Sequence, residues 1–119
     1  QVVSINKEFV ALIQDAARAV AEGVDPDAAL SAEMLGEGWV GHEAIACALY
    51  CCMRHPTSYK DAVLLAANSV GDSDSIACIA GGWMGAKLGE EAIPEEWRTK
   101  IENAAELATL ADRLAQEGF

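Results

Sequence analysis

Positive charge is scarce in this sequence: 8 lysines and arginines face 19 aspartates and glutamates, for a formal net charge of −11. A nucleic-acid backbone or an anionic membrane surface is therefore a poor partner. The four cysteines, Cys47, Cys51, Cys52 and Cys78, include no CxxC spacing, and no His-x-x-x-His pair accompanies them, so the spacing argues against a zinc site. Reduced, mostly buried thiols in a cytoplasmic protein are the expectation. No apolar run approaches the roughly 18 residues of a membrane span. Gln1-Val2-Val3-Ser4 offers neither a basic nor an apolar leader region, and it lacks an initiator methionine. A cut or processed piece of a longer protein is expected. Prolines number only three and β-branched residues are few, and nothing alternates with period two for long enough to read as a strand.

Alanine and the helical period are what the sequence does have. Hydrophobic residues make up 52% of the chain, enough for a core in a domain of this size. Phe9, Val10, Leu12, Ile13, Ala16, Ala17 and Val20 predict a first helix from about Asn6 to Glu22, with Gly23 as its stop. Asp25-Pro26 opens a second helix expected to reach Leu35. A glycine-rich connector, Gly36 to Gly41, precedes a third helix from His42 to Arg54 that is apolar nearly all round and so predicted to be buried. Ser58 and Asp61 resemble a capping box before a helix from Tyr59 to Ser69. Another helix runs to Leu88, closed by Gly89, and two more follow, from Pro94 and along Ala104, Leu107, Leu110, Ala111 and Leu114. The fold class is all-α: an orthogonal multi-helix bundle of about seven helices, with residues 1–119 forming a single unit.

Chemistry concentrates at Gly71-Asp72-Ser73-Asp74-Ser75, where carboxylates and hydroxyls crowd the mouth of an apolar, glycine-laced run. Such oxygens suit a hard divalent cation. An EF-hand is excluded, because its fifth, sixth and twelfth positions would fall on Ile76, Ala77 and Trp83. A phosphatase-type aspartate nucleophile would follow a strand, whereas Asp61 to Ser69 reads as a helix. Two readings remain. Asp72 can be a helix N-cap whose carboxylate accepts from first-turn amides, or the acids can ligate a metal. In a continuous helix Asp72 and Asp74 would point about 200° apart. They converge only if Asp72 lies before the first turn, so the two roles share one backbone geometry.

These residues, with their surroundings, resemble the ADP-ribosylglycohydrolase family, the group that contains the dinitrogenase-reductase-activating glycohydrolase. Its C-terminal signature is matched by Gly71 to Ala77, the glycines Gly81, Gly85 and Gly89, then Ile93-Pro94 and Trp97. An upstream element is matched by Gly36, Gly38, Trp39, Glu43 and Ala44. The resemblance implies that Asp72, Asp74 and Ser75 ligate a dinuclear Mg²⁺ site, with Mn²⁺ in some members, and that Asp72 and Asp74 serve catalysis. It implies hydrolysis of the glycosidic bond joining ADP-ribose to a protein side chain or small acceptor. Gly38 and Trp39 would lie near the nucleotide, although Trp39 reads equally as a core plug.

The chain departs from the family pattern in lacking the Thr-Asp-Asp cluster of the N-terminal portion. It is therefore expected to be the C-terminal part of a larger domain, completed by the N-terminal remainder, possibly as a separate chain. The alternatives are a non-catalytic ADP-ribose-binding or crystallin-like structural member, and a plain helical interaction module in which the motif only caps a helix. His42 and His55 read as exposed, the glutamates at 90, 91, 95 and 96 as solvated, and Gly81, Gly82 and Gly85 as points of close helix approach.

Overall fold

A computed structural model describes residues 6–118; the Gln1 to Ser4 stretch considered for a leader lies outside the described residues. Seven α-helices follow one another: α1 (Lys7–Ala21), α2 (Pro26–Ala29), α3 (Gly41–Arg54), α4 (Tyr59–Ala67), α5 (Ser73–Leu88), α6 (Glu95–Lys100) and α7 (Ala104–Glu117). A 3₁₀ turn, Glu90–Ala92, links α5 to α6, and no strand occurs among the described residues. The all-α reading of the sequence holds, and so do most of its boundaries. The exception is α2. It stops at Ala29, and Leu30 to Leu35 fold back as turns in which the Leu35 and Gly36 amides donate to the Ala29 and Ser31 carbonyls.

The central element is α3, which packs against α1, α4 and α5. Its alanines and cysteines let the neighbouring helices approach closely, and Ala44, Ala46, Cys47, Ala48, Tyr50 and Cys51 are buried. The Tyr50 hydroxyl donates to the Val24 carbonyl at 2.7 Å, so the one polar atom of a fully enclosed ring is satisfied. Burial pushes its ionisation upward. Against α3 lies α5, which buries Ile76, Ala80 and Met84 on one side. Gly81 admits α4: a methyl group there would stand 3.1 Å from the Tyr59 hydroxyl oxygen. Gly82 does not share that role, since it faces open space.

Beyond α5 the packing thins. Trp97 of α6 meets Tyr59 edge-on with ring centroids 6.4 Å apart. The α7 helix buries none of its residues, and Leu107, Leu110 and Leu114 stay exposed. All four cysteines are free, with Cys78 exposed on α5 rather than buried. No described helix is long and apolar enough to cross a membrane.

Candidate metal centre

The site is built where two chain segments meet, the Gly36–Trp39 loop and the turn entering α5. Asp72 occupies the N-cap position of α5 with φ −74° and ψ 64°, outside the helical region and therefore before the first turn. Its amide donates to the Glu37 carbonyl at 2.8 Å, tying the turn to the loop. Gly71 makes this approach feasible, because any side chain there would overlap the Glu37 backbone. Gly38 lies on the other side of the junction. A methyl group on it would come within 2.7 Å of Ile76 Cδ1 and 3.6 Å of Asp72 Cβ, and its φ of +84° favours glycine as well.

The Asp72 side chain makes no hydrogen bond to the first-turn amides of α5. The capping role read from the sequence is thus corrected: the residue sits at the cap position, but its carboxyl turns to Asp74. That contact, then the Ser75 amide at 2.9 Å from Asp74 Oδ1, hold the Asp74 carboxyl below the usual carboxylate range. The two carboxyls are thus neighbours at the entry to α5. Ser75 stands beside them, lining an open concavity of about 420 Å³ with Asp74, Cys78 and Ile79. Two carboxylates and a hydroxyl are hard oxygen donors, the donor chemistry that Mg²⁺ and Mn²⁺ prefer. Among the described residues no third His, Cys, Asp or Glu joins them to form a metal cluster. The donor set fits part of a divalent-cation shell.

Trp39 is no core plug: it is 67% exposed, and its indole Nε1 donates to Glu37 Oε2 at 3.1 Å. The structure thus brings Gly38 to Asp72 and ties Trp39 to Glu37 of the same loop, while His42 is apart, in a separate concavity with Glu8 and Leu12. Sequence reasoning missed Glu37, whose carbonyl and carboxylate each receive a donor of this site. It also missed Cys78 as a lining residue, although one helical turn from Asp74 the i, i+4 spacing points to it.

The family model for ADP-ribosylglycohydrolase matches residues 1–119. This chain belongs to the ADP-ribosylglycohydrolase family. It is 32% identical over 108 residues to the ADP-ribosylhydrolase ARH3 of Mus musculus, a match covering 80% of this chain and 29% of that protein. It is 40% identical over 57 residues to the ADP-ribosylarginine hydrolase Tri1 of Pseudomonas putida (strain GB-1), covering 48% of this chain and 15% of that protein. The human ARH3 is 30% identical over 90 residues, 67% of this chain and 25% of the relative. The chain therefore spans less than a third of the length of these relatives. No solved structure matches it significantly.

Proposed function

We propose that this family member supplies the C-terminal half of a dinuclear Mg²⁺ centre, with Mn²⁺ an alternative, that hydrolyses the glycosidic bond of ADP-ribose on a protein side chain or small acceptor. The observation that carries this reading is the Asp72 side chain, which forgoes the α5 amides and meets Asp74 instead. The relatives' activities, ADP-ribosylhydrolase and ADP-ribosylarginine hydrolase, supply the reaction class. Intact carboxylates in the motif favour an enzyme over a crystallin-like structural role.

When bound, the ion pair supplies the Lewis acidity that orients ribose hydroxyls and activates water. The chain's own residues prepare for it. Asp72 and Asp74 present carboxylate oxygens at one point, and Ser75 adds a hydroxyl. Their paired negative charge repels a pyrophosphate in the absence of a cation, so substrate and cation are expected to bind together. Gly38 leaves the approach to Asp72 clear, and the exposed Trp39 ring offers a face on which a nucleobase can stack. The remaining acids belong to the N-terminal part of the domain, whether on the same polypeptide or a separate chain.

The test is reconstitution. The chain is mixed with its N-terminal counterpart, and ADP-ribose release is followed from arginine-linked, serine-linked and ester substrates with Mg²⁺. Release is expected only with both parts present, and Asp74→Ala should abolish it. A well-folded complex that releases nothing from any of the three sinks the proposal.

A further inference from the structure

We infer that Glu43 and Cys47 are positioning residues, a two-point clamp on α3 that holds the Gly36–Trp39 loop and thereby sets where Asp72 and Trp39 stand. The two residues lie one turn apart on the same face of α3. Their chemistry is complementary. Glu43 is an acceptor: its Oε2 receives the Gly38 amide at 3.2 Å, and its side chain fills the space that any residue larger than glycine at position 36 would need. Cys47 is a donor: its thiol points to the Gly36 carbonyl at 3.4 Å and the Leu35 carbonyl at 3.8 Å. Burial pushes this thiol up to about 12, with the neighbouring Glu43 charge adding to the shift, so it stays protonated and can only donate.

The clamp matters because of what the loop does next. A segment with glycines at 36 and 38 has little conformational preference of its own. Yet Glu37, between those glycines, receives the Asp72 amide on its carbonyl and the Trp39 indole on its carboxylate. Fixing Gly36 and Gly38 from α3 therefore fixes both the entry to α5 and the aromatic ring. The consequence for metal binding rests on the proposed function; the consequence for the loop does not.

The experiment reads amide hydrogen exchange at Asp72, the Trp39 indole resonance, and Mn²⁺ binding by paramagnetic resonance in the full chain. Glu43→Ala should speed Asp72 exchange about tenfold, as expected for the loss of one half-buried hydrogen bond to a charged group, shift the indole signal and weaken Mn²⁺ binding. Glu43→Gln, whose amide oxygen can still accept from Gly38, should restore all three. Glu43→Asp keeps the charge but withdraws it by one methylene, and should behave like Glu43→Ala; it also decides the matter if the alanine variant fails to fold. An unchanged Asp72 amide in both shortened variants overturns the clamp. So does a uniform rise across the amides of α1 and α3, which would mark Glu43 as a general stabiliser. Gln behaving like Ala would assign the effect to charge and overturn it too. If Asp74→Ala leaves Mn²⁺ binding intact, the metal site fails, and Asp72 exchange and the indole signal alone judge the clamp.

Discussion

The N-terminus of α4 and the N-terminus of α5 begin with residues of equal capping ability, Ser58 and Asp72, and use them differently. Ser58 Oγ accepts the Asp61 amide at 3.2 Å, and in the same way Asn6 caps α1 and Asp25 caps α2. The Asp72 side chain accepts nothing from α5. The residue's own amide is drawn to Glu37, and its carboxyl leans toward a second carboxyl in the first turn of the helix. Capping is worth about 1 kcal/mol, and the Asp72 side chain forgoes it. A local stabilising option is thus declined where a binding site is assembled, which is where conflict between local and global preference is expected.

The largest test of that contrast is metal binding. Asp74→Ala should weaken Mn²⁺ binding by at least about 100-fold, since even partners outside the ligand set are worth about 10–100-fold; titration calorimetry or paramagnetic resonance checks it. Ser58→Ala should leave the affinity unchanged. Next is Gly71→Ala, whose methyl group would collide with the Glu37 backbone. It should cost about 2 kcal/mol by denaturant titration and weaken Mn²⁺ binding as well. Third is alkaline stability. The fold raises Cys47 from 9.0 to about 12, so its contribution is complete below pH 9 and is lost as pH climbs toward 12. At pH 10 the loss is about 1.4 kcal/mol for one such thiol. Cys47→Ser, which keeps a donor for the loop without titrating, should flatten that part of the pH profile of Tm.

The helices were legible because their period, caps and glycine stops are local properties. Gly89 ends α5 and Pro26 opens α2 as the sequence indicates. The overshoot of α2 to Leu35 has a tertiary cause. Leu30 and Leu35 are buried against the core from turns rather than from a helix, and their spacing alone does not distinguish the two. At the site, the identities of Asp72, Asp74 and Ser75 were legible from their oxygens, and the need for Asp72 to precede the helix followed from the 100° step. The Glu43–Gly38 and Asp72–Glu37 contacts were not. Asp72 and Glu37 lie far apart in sequence, Gly38 and Glu43 meet only because the loop folds back on α3, and glycines advertise only that something comes close, not what. Trp39 shows the same limit, because an indole suits a core and an exposed shelf equally well.

Two smaller effects sharpen the contrast between the caps. Ser58→Ala should lower stability by about 1 kcal/mol whether or not metal is present. Asp72→Ala should cost less metal-free stability than Ser58→Ala, because only one small contribution goes. No capping bond is lost, since the side chain makes none. The favourable placement of an acid near a helix N-terminus is lost, worth about 0.3–1 kcal/mol. The Asp72 amide bond to Glu37 survives, being backbone to backbone. Adding Mn²⁺ should then separate the proteins, because wild type gains stability by mass action and the variant does not. Paired thermal melts with and without Mn²⁺ read this directly. A metal-independent loss matching that of Ser58→Ala would mean that Asp72 caps α5 in solution after all, and the difference between the two helix starts would disappear.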